Sequence, residues 1–105
     1  MQQVNIVDTN LSYDSGRLQQ RSTTNYIVIH HSGTAEDMDL SAQDINNMHQ
    51  NNGWTCIGYH YVIRKDGTVE YGRPDWAIGA HAEGHNWESI GIHLSGNFEL
   101  DNVNV

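Results

Sequence analysis

The chain has 105 residues, of which 37% are hydrophobic and 17% charged, and its formal net charge at pH 7 is −8. This length suffices for one small globular domain, and the excess of acidic residues argues against nucleic acid, whose phosphates require a basic surface. No run approaches the roughly 18 apolar residues of a membrane span, and the single cysteine, Cys56, excludes an internal disulfide.

The N-terminal part of the chain is polar and carries few apolar residues. We interpret residues 1–23 as an N-terminal arm and residues 24–105 as a single domain. The chain begins without the basic and apolar regions of a secretory signal, so we expect no signal peptide.

The first long apolar run, Tyr26 to His31, has the composition of a β-strand. Its β-branched centre predicts a strand that is buried on both faces. Side chains alternate along a strand, so His30 and His31 point to opposite faces and cannot easily serve one centre. We expect one of the two imidazoles in a cleft and the other packed or hydrogen-bonded beneath it.

One helix is predicted after this strand. Ser41 is a suitable N-cap, and Asp44, three residues later, forms an imperfect capping box with it. Apolar positions then recur at helical spacing until Gly53, where we expect the helix to stop. The narrow apolar stripe predicts a helix that lies on one face of a sheet.

The period then changes to that of strands. Residues 59–63 and 68–71 are predicted to form a hairpin around Asp66-Gly67, which is a favoured two-residue turn. Residues 72–88 show no period and predict a long functional loop with one helical turn. The last strand, over residues 89–95, alternates apolar residues with small or polar ones, which predicts one apolar face.

Seven histidines are many for a chain of this length, and several invite a chemical role. His30, at a strand end, suits a zinc site that keeps a position open for water, although such a histidine is more often structural. The run from His81 to His85 lacks the His-Glu-x-x-His order of the zincins, and its Gly84 weakens the helix that this motif needs. His93 fits a half-buried sheet position. Tyr59 is either a sheet aromatic or a phenol that donates to a developing oxyanion.

Five motifs follow one another between Tyr26 and Glu99. They are Val28-Ile29-His30-His31-Ser32; Gly53-Trp54 with Gly58-Tyr59-His60-Tyr61-Val62-Ile63; Asp66-Gly67-Thr68-Val69-Glu70-Tyr71-Gly72-Arg73; Gly79-Ala80-His81-Ala82 with Asn86; and Ser89-Ile90-Gly91-Ile92 with Gly96-Asn97-Phe98-Glu99. In order and approximate spacing they resemble the zinc-dependent N-acetylmuramoyl-L-alanine amidases of the phage T7 lysozyme and peptidoglycan-recognition-protein type.

The resemblance implies an α/β fold in which a mixed β-sheet, flanked by helices, borders a groove for the muramyl sugar and its stem peptide. It also implies hydrolysis of the amide between the lactyl group of N-acetylmuramic acid and L-alanine. His30 matches the first zinc ligand of the family, and Tyr59 matches its catalytic tyrosine. His81 and Asn86 match positions that line the substrate groove, and His60 lies beside them. Zinc would activate a bound water and leave a tetrahedral oxyanion for Tyr59 to stabilise.

The chain departs from the family after the last motif. In the family a histidine and a cysteine or aspartate, which complete the zinc site, lie there, and so does a helix that covers one sheet face. The chain ends at Val105, so we expect the N-terminal two-thirds of an amidase domain, without its C-terminal helix and closing segment. We therefore expect weak or absent zinc binding, a complete site only with that segment, and an uncovered apolar face that favours self-association.

The leading prediction is a peptidoglycan hydrolase that degrades the bacterial cell wall, with muramyl peptide as its partner. The alternative is a peptidoglycan-binding module without catalysis, because the groove residues are present while the later zinc ligands are not. A third interpretation is a metal-independent structural fragment of a larger assembly. Without a signal peptide, we expect a phage or prophage lysin released through a holin, or export by a non-classical route.

Overall fold

The computed structural model describes residues 5–31 and 39–95, which form a mixed five-stranded sheet and one α-helix. The elements are β1 (Ile6–Val7), β2 (Tyr26–His31), α1 (Ala42–Asn51), β3 (Tyr61–Ile63), β4 (Val69–Tyr71) and β5 (Ser89–Leu94), with short 3₁₀ helices at Ser15–Arg17 and Asn86–Glu88. The strand order is β1-β4-β3-β5-β2, and only β3 and β4 pair antiparallel. The predicted α/β class with a mixed sheet is confirmed.

Helix α1 begins where its sequence predicts. The hydroxyl of Ser41 accepts a hydrogen bond from the backbone amide of Asp44 at 3.0 Å, and the Asp44 carboxylate accepts one from the amide of Ser41 at 3.1 Å. This pair completes the capping box.

The core cluster of buried apolar side chains consists of Ala42, Ile45, Ile57 and Val62. Within the described residues, no helix combines the length and apolar composition needed to cross a membrane.

The hairpin between β3 and β4 turns at Asp66-Gly67, as predicted. Gly67 has a φ of +91°, a conformation that costs little only for glycine, and the amide of Arg64 donates to the carbonyl of Thr68 at 2.8 Å across the turn. The side chain of Asp66 accepts from the amide of Thr68 at 2.9 Å. Local turn chemistry therefore sets the register of this hairpin.

Strand β3 is shorter than predicted, since it begins at Tyr61 and not at residue 59. Before it the backbone is irregular: the consecutive amides of Gly72 and Arg73 donate to the carbonyls of His60 and Tyr59. The regular alternation of side chains therefore does not extend from Tyr61 back to Tyr59. This irregularity allows the two tyrosines to have different neighbours.

Strand β2 lies at the edge of the sheet, and the prediction that it is buried on both faces is wrong. Ile27 and Ile29 are 67% and 62% exposed, whereas Val28 and His30 are half-buried. The difference arises because α1 covers one sheet face and no described helix covers the other. In β5, Ile90 and the alternating apolar residues after it share this exposed face, as the sequence predicts.

The exposed face of β2 favours association of chains, because the apolar side chains of Ile27 and Ile29 lie side by side there. Replacing both Ile27 and Ile29 with Thr, which keeps β-branching, is expected to weaken self-association about 10-fold or more. Analytical ultracentrifugation over a concentration series measures the effect. Val7→Thr, at another exposed apolar strand position, is the control. A wild-type chain that is monomeric at every concentration would contradict this expectation.

Candidate functional site

The sheet face beneath α1 gathers side chains from β2 and β5. These strands pair in parallel, with His30 directly opposite His93, and residues that pair directly carry their side chains on the same face. Buried Val62 of β3 pairs with His93 from the other side and packs against α1. His30 therefore faces the helix side of the sheet, while His31 is exposed.

Tyr59 lies among the histidines of this face. Its ring centroid is 5.3 Å from that of His30, 4.9 Å from that of His93 and 5.8 Å from that of His49 in α1. Tyr61, by contrast, contacts Tyr71 and donates a hydrogen bond to a carboxylate on the loop after β4. The structure thus brings the predicted zinc ligand and the predicted catalytic phenol together on one side of the sheet.

The loop between β4 and β5 delivers His81 to the same place. Its Nδ1 lies 3.1 Å from Nε2 of His30, and its Nε2 lies 3.2 Å from the hydroxyl of Ser89. Gly91 makes room for this ring, because a Cβ at residue 91 would lie 2.5 Å from two of the His81 ring atoms. The imidazole of His81 therefore rests directly on β5.

Asn86 holds the loop that carries His81. Its side-chain oxygen accepts hydrogen bonds from the backbone amides of His81 at 2.9 Å and Ala82 at 2.8 Å. Asn86 also borders an open pocket of about 310 Å³. The residues that line this pocket are His49, Trp54, Tyr59, Ala80, His81, Ala82, Glu83 and Asn86. Two of the three predicted substrate-binding residues therefore lie at one pocket beside Tyr59.

His60, the third predicted substrate-binding residue, is fully buried. Its Nδ1 accepts a hydrogen bond from the amide of Gly91 at 3.0 Å, and its Nε2 lies 2.8 Å from the carbonyl of Ala77. Both ring nitrogens are therefore engaged with backbone. Any influence of His60 on a ligand acts through the loop that it ties to β5.

Burial determines the protonation of the site. It lowers the pKa of His30, and it lowers the pKa values of His81 and His93 to about 4, with neighbouring histidines adding to the effect. Burial also raises the pKa of the Tyr59 phenol above its usual value of 10.0. At neutral pH the site therefore contains neutral imidazoles, one of which can act as a metal ligand, and a protonated phenol.

Acidification is expected to destabilise the fold. In the native state His81 and His93 have pKa values of about 4, whereas in the unfolded chain they bind protons near the ordinary value of 6.5. Stability is therefore complete above about pH 6.5 and falls as the pH decreases toward about 4. We expect a loss on the order of 3 kcal/mol, roughly half of the unscreened effect, because solvent reaches the half-buried His81 ring. Urea unfolding midpoints across this range measure the loss, which should be smaller in His93→Phe. A midpoint that does not change with pH would contradict the assignment.

The described residues fit a zinc site only in part. His30 offers a neutral, half-buried imidazole, which is a suitable ligand. Across residues 5–31 and 39–95, however, no three His, Cys, Asp or Glu side chains come close enough together to hold a metal ion. A catalytic zinc takes three protein ligands. These parts of the chain therefore supply one candidate ligand and do not complete a site.

Sequence reasoning does not single out Ser89 or Gly91 as site residues, and it predicts only a half-buried sheet position for His93. The structure places all three on the site face, with His93 4% exposed and its Nδ1 without a hydrogen-bond partner among the described residues. Their alternating positions in one strand are visible in the sequence. The pairing of β5 with β2, which places these alternate residues on the same face as His30, is not visible in the sequence.

Comparisons with known proteins cover most of the chain. The family model described as N-acetylmuramoyl-L-alanine amidase matches residues 20–104. The endolysin of Escherichia phage T7 is 40% identical over 83 residues, which are 79% of this chain and 55% of that protein. Peptidoglycan-recognition protein LB of Drosophila melanogaster is 37% identical over 83 residues, 72% of this chain and 36% of that protein.

A solved structure is similar as well. The endolysin N-acetylmuramoyl-L-alanine amidase LysCS from Clostridium intestinale URNW superposes with a TM-score of 0.82 at 39% identity, over 95% of this chain and 63% of that one. The chain thus spans about half the length of the phage endolysin it matches.

Proposed function

Because the chain belongs to the N-acetylmuramoyl-L-alanine amidase family, we propose that it hydrolyses the amide between the lactyl group of N-acetylmuramic acid and L-alanine in peptidoglycan. The family membership predicted from the five motifs is confirmed by this match. The observation that best supports the proposed activity is the 5.3 Å separation of the His30 and Tyr59 rings beside a pocket of about 310 Å³. The proposed place of action is the bacterial cell wall.

Tyr59 would act on the carbonyl oxygen of the scissile amide. Attack of water on that carbonyl turns the oxygen into an oxyanion, and a fixed donor at this position stabilises the transition state more than the substrate. Burial raises the pKa of Tyr59, so the phenol keeps its proton throughout the neutral range. It can therefore donate a hydrogen bond where negative charge develops.

The pocket beside Tyr59 would hold the muramyl peptide. Trp54 is 43% exposed and packs against His49, with 4.5 Å between the ring centroids and 50° between the ring planes, so both aromatic rings line the pocket. The loop that Asn86 holds also lines the pocket, through Ala80 and Ala82. An open pocket with apolar walls and a few polar groups suits a sugar with an attached peptide.

The family is in general zinc-dependent, and His30 would be one of the ligands. When bound, zinc lowers the pKa of a water to about 7 and so supplies the nucleophile. The chain's own residues then position the substrate and provide the phenol. The remaining ligands would come from outside residues 5–31 and 39–95, where no group of three potential ligands forms.

The chain is expected to bind zinc weakly, with a Kd above about 1 μM, because the described residues supply one candidate ligand, which cannot give the affinity of a complete site. Equilibrium dialysis with metal analysis measures this. His30→Ala should remove the residual binding, while His85→Ala should not, since His85 pairs with Glu88 away from Tyr59. One tightly bound zinc per chain would contradict the expectation.

The second candidate is a peptidoglycan-binding module without catalysis. The observation that favours it is that a pocket is formed among the described residues while a three-ligand metal group is not. In this case Tyr59 and the pocket would bind the muramyl peptide without hydrolysing it.

Bacterial sacculi separate the two functions. The chain is incubated with purified sacculi and zinc, and both the sedimented protein and the released peptides with N-terminal L-alanine are measured. An amidase releases such peptides, whereas a binding module sediments with the sacculi and releases none. A chain that neither sediments nor releases peptide would refute both functions and leave the structural fragment.

A further inference from the structure

Hydrogen bonds connect Ser89 to His81 and His81 to His30. We propose that Ser89 and His81 are positioning residues that hold the proton of His30 on Nε2 and leave Nδ1 as the nitrogen available to a metal ion. This inference rests on the proposed role of His30 as a zinc ligand. It adds which atom of His30 binds and which side chains determine that choice.

The direction of the hydrogen bonds is set at Ser89, which is fully buried. Its hydroxyl donates to the backbone carbonyl of His85 at 2.8 Å. A serine hydroxyl has one proton and a carbonyl can only accept, so this bond uses the proton of Ser89. The second contact of the hydroxyl, with Nε2 of His81 at 3.2 Å, must then be one in which Ser89 accepts and His81 donates.

The tautomer of His81 follows from this direction. A neutral imidazole carries one proton, so a proton on Nε2 leaves Nδ1 as an acceptor. Nδ1 of His81 lies 3.1 Å from Nε2 of His30. His30 must therefore donate from Nε2, and its own Nδ1 carries the free lone pair. The tautomers are therefore compared well above the ordinary imidazole pKa of 6.5, where both rings are neutral.

The opposite arrangement places two oxygen atoms in contact without a proton between them. If His81 carried its proton on Nδ1, it would donate to His30, and Ser89 would have to donate to His81. The hydroxyl oxygen of Ser89 and the carbonyl oxygen of His85 would then lie 2.8 Å apart with no proton between them, which is repulsive because both oxygens carry partial negative charge. The observed distances thus favour one direction for all three hydrogen bonds.

This arrangement matters because the hydrogen bond at one imidazole nitrogen decides which nitrogen can bind a metal. Gly91 supports it by leaving the space that the His81 ring occupies. His30 Nδ1 makes no hydrogen bond to another described residue. The imidazole of His30 is therefore held in an orientation and a tautomer before any metal arrives.

The test is long-range 1H–15N correlation spectroscopy of the metal-free chain, with exchange of the ring protons against solvent. Both His30 and His81 are expected to show the Nε2-protonated pattern, with slowly exchanging protons. In Ser89→Ala the His30 ring proton should exchange about 5- to 10-fold faster, because His81 is no longer restricted to one tautomer. His81→Ala should remove the protection, and His81→Asn, whose side-chain oxygen can replace Nδ1 as acceptor, should restore part of it.

Ser95→Ala is the matched control, since Ser95 is also buried next to β5 and also donates to a backbone carbonyl, that of Leu40. It should leave the His30 signal unchanged. An Nδ1-protonated pattern at either ring, or a His30 proton that neither Ser89→Ala nor His81→Ala affects, would overturn the proposal. The readout requires neither zinc nor turnover, so it stands or fails separately from the amidase activity.

Discussion

Replacing Tyr59 with Phe is expected to slow the release of peptides from sacculi by about 10²–10³-fold while leaving binding to the sacculi nearly unchanged. The substitution removes only the hydroxyl and keeps the ring that packs against His30 and His93. The lost hydrogen bond is one that strengthens in the transition state, so the effect falls on the rate and not on affinity. Measurements use a large excess of zinc, because the chain is expected to bind it weakly, and saturating sacculus concentration, with sedimentation as the binding assay.

Tyr61→Phe is the matched control for this variant. It removes a hydroxyl that donates to Asp75 at 3.2 Å and lies beside Tyr71, outside the histidine cluster. We expect it to retain nearly the full rate. Equal rates for the Tyr59 and Tyr61 variants would exclude a catalytic phenol at residue 59.

Replacing Gly91 with Ala is expected to destabilise the fold by about 1–3 kcal/mol. The added Cβ would lie 2.5 Å from Cγ and Cδ2 of His81, closer than two carbon atoms can approach. The His81 ring would have to move, and it would lose its contacts with His30 and Ser89. Urea unfolding measures the loss of stability, and the exchange of the His30 ring proton reports the displaced ring.

Gly16→Ala is the control for backbone effects. A Cβ there would meet only the Asp14 carboxylate, at 3.2 Å, on an exposed part of the chain. We expect a change within about 0.5 kcal/mol. A Gly91→Ala chain as stable as the wild type, with an unchanged His30 signal, would show that His81 does not rest on β5 as described.

Local features of the fold were accessible from the sequence. The capping box that starts α1 and the Asp66-Gly67 turn both depend on side chains within a few residues of each other. The alternation that separates His30 from His31 likewise follows from strand geometry alone. Such features need no knowledge of which strands pair.

The neighbours of a strand could not be predicted from the sequence in the same way. An apolar run such as Tyr26 to His31 is compatible with a central strand or an edge strand, and only the strand order shows that β2 is at the edge with Ile27 and Ile29 exposed. Burial depends on what the rest of the chain places on each face. A short apolar run does not indicate which elements will pack on its two faces.

By itself the sequence determined the family, the class of fold, the helix and hairpin boundaries to within two residues, and His30 and Tyr59 as the residues to examine. Only the tertiary structure decided that Tyr59 reaches His30 and His93, and that His81 and Ser89 connect to His30 by hydrogen bonds. The physical reason is separation along the chain. Caps, turns and side-chain alternation arise from neighbours in sequence, whereas the site joins residues about 60 positions apart through parallel pairing, which no local pattern specifies.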